Sequence, residues 1–312
     1  MSAPADLVAG TAANDPDDAP APTTGKAAGA APLTVVTHVV LILWAIATAV
    51  PIIWVLGSSL KTDNEIFIQS YRLPEWPWKF ENYARAWSVS NFSRYFLNSL
   101  IVVGCSVVIV MLLGSMVSYC LARYQFFGRR FLTVMFIAAN AVPILVAMVP
   151  LYGVLRSGWR IGSLKIPLIG TYHGLIMVYV AFALPFTVFF LMAFFRSLPR
   201  EIFEAAFVDG AGHFRTFFLV MLPMARPGLI SIGIFNALGL WNQYVIPLFI
   251  NNDNPDMYVV PQGLAKMAAE AGYASDFSGL FAGLVIGMAP VLILYLVFQK
   301  QIQQGMTAGA LK

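Results

Sequence analysis

The residues that could do chemistry in this chain are few, and they are grouped. The stretch EIFEAAFVDGAGHFRTFFLVMLPMARPG, Glu201 to Gly228, holds Glu201, Glu204, Asp209, His213, Arg215 and Arg226 between two long apolar runs. A second group, Asn236, Trp241, Asn242, Gln243 and Tyr244, lies in the apolar run that follows. Amides both donate and accept hydrogen bonds, and aromatic rings offer a flat apolar face. Together they suit a sugar, with its hydroxyls and its ring. At helical spacing these five residues cannot all face one side. Interfacial anchoring and helix–helix hydrogen bonding are therefore the competing explanation.

The chain lacks the groups that most reactions need. It has no G-x-x-x-x-G-K-[ST] loop, so it cannot cradle ATP in that way. Its long apolar runs contain no Asp, Glu, Lys or Arg. Proton-coupled carriers usually need intramembrane acids or histidines. His38 and His173 stand near the ends of apolar runs and read as interfacial. Sodium coupling through backbone carbonyls stays open. The runs also lack the paired aspartates, metal cluster or activated nucleophile of an intramembrane enzyme. Cys105 and Cys120 share one apolar run, where small buried residues are expected rather than a disulfide or metal site.

The elements that must position these groups are membrane helices. Of the 312 residues, 59% are hydrophobic and only 11% charged, against about a quarter charged in soluble domains. Six runs are long enough to span a bilayer as helix: Val35–Leu56, Tyr95–Ala122, Phe131–Leu155, Ile166–Phe195, Pro227–Asn252 and Phe277–Gln299. Strands of a membrane barrel would be shorter and would alternate in polarity. Between the runs, Gly57–Arg94 is a long polar segment with Trp76, Trp78 and Trp87, suited to the headgroup layer. Asn251–Asp276 reads as a polar loop. Residues 1–32, rich in Ala, Pro and Asp, read as a disordered tail. Lys and Arg divide almost evenly between the two sides. The connectors on the N-terminal side are the denser ones, which favours both termini inside. Gly279, Gly283 and Gly287 recur every four residues and predict close helix packing.

The spacing predicts a helix over Pro199–Asp209, with Ile202/Ala206 and Phe203/Phe207 each sharing a face. Gly210 and Gly212 break it. His213–Leu222 resumes as helix, and Pro223 and Pro227 end it. Such a knob could insert into a groove on a partner. An amphipathic helix lying on the bilayer is the alternative. Glu201, Glu204 and Asp209 weigh against it, because an anionic surface attracts bases.

Glu204-Ala205-Ala206, three residues, Gly210, nine residues, then Val220-Met221-Leu222-Pro223 resembles the EAA loop of ABC-importer permeases, with Val220 the one conservative departure. NSLIVV (98–103), SYCLARYQFFGRR (118–130), FFRSLPREIFEAAFVDGAG (194–212), LWNQYVIPL (240–248) and QQGMTAGALK (303–312) resemble the carbohydrate-uptake branch, in particular the smaller maltose-type permease. The resemblance covers roughly residues 35–312.

It implies an all-α membrane protein of six transmembrane helices in the type I ABC importer permease fold. The domains would be a tail, 1–32, and a permease domain, 33–312, with a cytoplasmic coupling loop at 196–227. Glu204, Ala205, Ala206, Phe207, Asp209, Gly210, Leu222 and Pro223 would dock the ATPase. Asn236, Trp241, Asn242 and Tyr244 would be candidates for the solute path, since Trp241-Asn242 matches a family pattern. The implied partners are a second permease, two ATPase subunits that bind ATP and Mg, and an extracytoplasmic solute-binding protein. All of this would sit in a bacterial inner membrane, with no catalysis, metal or nucleic acid on this chain. A sugar or oligosaccharide is the implied solute. Glycerol phosphate import by the same architecture and an ion-coupled carrier are the alternatives.

Overall fold

In the computed structural model, residues 30–88, 91–161, 163–274 and 276–310 are described. The expected tail, residues 1–32, therefore falls outside the description except for its last three residues, which are already helical. The chain divides into two units, Met1–Pro51 and Ile52–Lys312. Helix α1 (Ala30–Ser58) runs from one to the other. Its part in the first unit exposes apolar side chains on every side, Trp44 among them, as suits a hydrocarbon surrounding.

In the second unit the long apolar runs become helices, because a backbone in lipid must satisfy its own N–H and C=O groups. These are α4 (Phe92–Arg123), α7 (Tyr172–Ser197) and the C-terminal helix Phe277–Ala310. With α1, these give, among the described residues, four helices long and apolar enough to cross a membrane. The third and fifth runs are not straight spans. The third splits into α5 (Arg129–Ala139) and α6 (Ile144–Ser157), bent by 106° at a break just before Ile144. Pro143 stands at that break, without an N–H to continue the helix. The fifth run splits at Asn242–Tyr244 into Arg226–Trp241 and Val245–Asn251.

Helices α4 and α7 form the centre. A Cβ on Gly114 would lie 2.5 Å from Thr187 Cγ2, and Ser118 Oγ donates to Val188 O at 3.1 Å. Small residues thus let the two helices approach closely. Around this pair, Phe92, Tyr95, Leu175, Val178, Tyr179, Trp241, Ile246 and Ile250 form the main buried cluster.

Other expectations need correction. The fold is not purely helical: β1 (Trp159–Ile161) and β2 (Leu164–Ile166) form an antiparallel hairpin. The anticipated loop Asn251–Asp276 is mostly helix, Val260–Ala274. Its Val260, Met267 and Ala271 are buried at helical spacing. Gly283 and Gly287 pack on this helix: added Cβ atoms would meet Met267 Cε at 3.0 Å and Val260 Cγ1 at 3.1 Å. Cys105 and Cys120 are exposed rather than buried, and Cys120 lines a cavity with Tyr119, Tyr124 and His213. Beyond α1 come α2 (Asp63–Ile68) and α3 (Glu81–Ser88); Thr62 caps α2, and its backbone N–H holds the Glu65 carboxyl below its ordinary pKa. Asp63 then accepts from Ser278 N at 2.8 Å, tying this segment to the start of the C-terminal helix.

Candidate functional site

The two groups read from the sequence both pack against the central helices α4 and α7. After α7, Leu198 and Pro199 turn the chain into α8 (Arg200–Val208). Phe203 and Ala206 point inward, and Ala206 is buried. The Phe203 ring sits 5.8 Å from Tyr124 and 6.3 Å from Tyr119, at the end of α4. Phe207 is half-buried, 5.1 Å from the His213 ring. Glu201, Glu204, Ala205, Val208 and Asp209 face outward. Val208 is 87% exposed, so the outer face is an apolar tip ringed by acids. Glu204 pairs with Arg200 at 2.9 Å, in an exposed i,i+4 bridge of little energetic weight.

The turn after α8 closes by a defined pattern. Ala211 N donates to Ala206 O at 2.9 Å and Gly210 N to Phe207 O at 3.0 Å, with Gly210 at φ +80°. These are the paired bonds of a Schellman cap, and its left-handed position favours glycine. The next helix, His213–Met224, differs from expectation. Thr216–Met221 is a π-helix, in which Leu222 N donates to Phe217 O, five residues back. Pro223 brings no N–H, so the ladder shifts locally. Pro223 and Leu222 stay inside this helix, partly buried. The chain bends by 78° beyond Met224, so Pro223 does not end the helix.

Sequence reasoning missed the platform under this loop. Arg123 Nη2 donates to Phe195 O at 2.6 Å and Leu198 O at 2.7 Å, joining the end of α4 to the last carbonyls of α7. A cation at a helix C-terminus also meets the negative end of the dipole. Tyr124 Oη bonds His213 Nδ1 at 2.9 Å and lies 3.3 Å from Tyr119 Oη. The one sequence signal was position, since Arg123 is the first charge after a run of 28 uncharged residues (95–122). Charge-assisted hydrogen bonds are worth about 1.5–3 kcal/mol each. Arg123→Met is therefore expected to lower the thermal midpoint of the assembled protein by roughly 5 °C, and Arg123→Lys by less. A thermal unfolding series checks this, and an unchanged midpoint in Arg123→Met would remove the clamp.

The second group separates in space. Asn236 is 5% exposed; its Nδ2 donates to Thr187 Oγ1 at 2.8 Å and approaches Met111 Sδ at 3.6 Å. Trp241 is 6% exposed, its Nε1 donating to Gly287 O at 3.1 Å. Both bind their own helix bundle. Asn242 is exposed, with Nδ2 on Leu238 O at 2.9 Å, and Tyr244 is 38% exposed. Asn242, Gln243 and Tyr244 lie where the helix breaks, so unwound backbone and amides coincide. A cavity of about 260 Å³ reaches Asn236, Gly239 and Gln243 from α6 and α7. Another, of about 340 Å³, is lined by Trp241, Asn242, Leu264 and Met288.

This chain belongs to the family of binding-protein-dependent transport system inner membrane components, whose model matches residues 110–308. It is 47% identical over 277 residues to the diacetylchitobiose uptake system permease protein of Streptomyces coelicolor, covering 89% of this chain and 88% of that one. It is 31% identical to an arabinooligosaccharides transport system permease protein of Halalkalibacterium halodurans, covering 82% of this chain and 81% of that one. In fold it is similar to a chain from the crystal structure of a bacterial ABC transporter involved in import of the polysaccharide alginate. That match has a TM-score of 0.74 at 20% identity and covers 88% of this chain and 97% of the other.

Proposed function

We propose that this chain is the permease subunit of an ATP-driven importer that passes a sugar or oligosaccharide, handed over by an extracytoplasmic binding protein, across a bacterial inner membrane. The observation that carries the reading is α8. A short helix with an acid-ringed apolar tip projects from a platform clamped to both central helices. Such a knob fits a cleft on a partner better than a lipid surface, because its acids would repel anionic headgroups. The relatives' printed solutes, diacetylchitobiose and arabinooligosaccharides, support a carbohydrate. So do the amides and aromatic rings at the break after Trp241.

In this reading α5 with α6 makes one span and Arg226–Trp241 with Val245–Asn251 another, giving six, with both termini cytoplasmic and 196–227 as the coupling loop. Two ATPase subunits, which bind ATP and Mg, take the α8 knobs of this chain and of a second permease. When ATP draws those subunits together, α8 moves with its cleft. The Arg123 clamp and the Phe203 contacts pass that motion to α4 and α7. ATP's differential affinity for the two states drives the alternation. Asn242 and Tyr244 meet the solute, while Asn236 and Trp241 hold the helices that carry them.

Thiol labelling tests the topology. In a background with Cys105 and Cys120 replaced by Ala, His213→Cys is expected to resist an impermeant maleimide in intact cells and to react in inverted vesicles. Glu75→Cys is expected to do the reverse. Labelling of position 213 from outside the cell would overturn the docking role of the loop.

A further inference from the structure

We infer that the β1–β2 hairpin, with Arg156, Arg160 and Lys165, is the surface on which an acidic face of the solute-binding protein docks. The inference rests on the importer reading above. The hairpin register sets Arg160 directly opposite Lys165. Side chains of opposed residues project to the same side of a ribbon, and like charges placed so destabilise it. Among the described residues neither cation forms an ion pair. Nor does Arg156, and Arg156, Arg160 and Lys165 are all exposed. Neighbouring cations in the other segments of this side are engaged. Arg85 meets Asp276 at 2.9 Å, Arg94 meets Asp256 at 2.8 Å, and Lys266 lies 3.8 Å from Glu270. Lys61 is buried, donating to Gln69 O and Ser70 O. Arg72 and Lys79 stand singly on the long first segment. At the hairpin three cations converge that form no ion pair among the described residues.

Its place fits that partner. Helix α7 lies between hairpin and coupling loop, and its 26 residues rise about 39 Å. The hairpin is therefore on the membrane face opposite α8, the face a binding protein approaches. Arg156 and Lys165 share a cavity of about 290 Å³ with Tyr152 and Asp253. Tyr152 and Asp253 also line a cavity of about 360 Å³ with Leu248, Phe249 and Asn252. That second cavity abuts Val245–Asn251, the helix just beyond the break that carries Asn242. A partner seated on the hairpin thus sits beside the proposed entry to the path. Asp253 decides between a protein and the headgroup layer. A carboxylate among these cations repels lipid phosphate, whereas a protein surface can answer a mixed-sign pattern residue by residue.

The test uses the assembled complex in nanodiscs, with its binding protein loaded with diacetylchitobiose. ATPase stimulation is titrated against binding-protein concentration, in purely zwitterionic lipid and again with anionic lipid. Arg160→Gln/Lys165→Gln is expected to raise the half-maximal concentration about tenfold and to flatten its salt dependence. Adding Arg156→Gln extends the shift. Basal ATPase and the maximum at saturating binding protein should stay unchanged in both lipids. An unshifted half-maximal concentration beside a normal response overturns the hairpin alone. A shift seen only with anionic lipid overturns it in favour of headgroup contact. If the unsubstituted complex ignores the loaded protein altogether, the importer reading and the hairpin's partner fall together.

Discussion

A complex carrying Gly210→Val is expected to insert and assemble yet lose at least tenfold in solute-stimulated ATPase and in uptake. Gly210 stands at φ +80° in the cap that closes α8. An L-residue there costs about 1–2 kcal/mol, and a branched Cβ adds to it. The cause is conformational rather than steric, since an added Cβ meets no atom within 4 Å. A series separates the two. Gly210→Asn should stay near the parent, because Asn tolerates left-handed backbone. Gly210→Ala should be intermediate, and Val worst. The strain is relieved by opening the bonds from Ala211 N to Ala206 O and from Gly210 N to Phe207 O. That opening frees α8 from the angle set by Phe203 and the Arg123 clamp. ATP hydrolysis and transport should then separate, with basal hydrolysis kept and its response to solute lost. Full coupling in Gly210→Val, or a Gly210→Asn as impaired as Val, would sink the lever role.

The second large effect distinguishes two asparagines six residues apart. Asn236→Leu removes the amide bonded to Thr187 Oγ1 and forces a branched side chain into a site only 5% exposed. Overpacking of this kind costs about 1–3 kcal/mol. It is expected to lower the yield of assembled complex and to act alike on every solute. Asn242→Ala removes an exposed amide at the helix break, whose bond to Leu238 O is a local one. Assembly should hold. Transport of a solute whose hydroxyl used that amide should fall roughly ten- to a hundredfold, the cost of one unpaired hydrogen bond. Uptake of two related sugars, normalised to assembled complex, reads the difference. An unchanged ratio in Asn242→Ala with reduced assembly would assign Asn242 to packing. A changed ratio in Asn236→Leu would move the path one and a half turns deeper.

Much of the architecture was legible because it is local. A long charge-free run has few ways to satisfy its backbone in lipid, so helix follows from composition. In the segment 196–227, the Ile202/Ala206 and Phe203/Phe207 pairs, Gly210 and the flanking prolines each act within one or two turns. The folded loop accordingly has the predicted helix and turn. The Val260–Ala274 helix was missed because its polar face made the whole segment read as loop. The hairpin was missed because its strands are three residues each, too short to show a period.

By itself, the sequence determined the class of protein, the helices and the position of the exposed knob, since each of these depends on residues that are neighbours along the chain. Only the tertiary structure decided which polar residues serve packing and which stay free. In a soluble helix, apolar contrast marks the inward face. In these membrane helices nearly every position is apolar, so the pattern carries no direction. The inward side is then set by partners far along the chain. Thr187, 49 residues from Asn236, accepts the amide of Asn236, and Gly287, 46 residues from Trp241, accepts its indole N–H. Arg160 and Lys165 likewise oppose each other through a strand register that no spacing announces. The charges were visible in the sequence, but their convergence came from the pairing of one strand with the other.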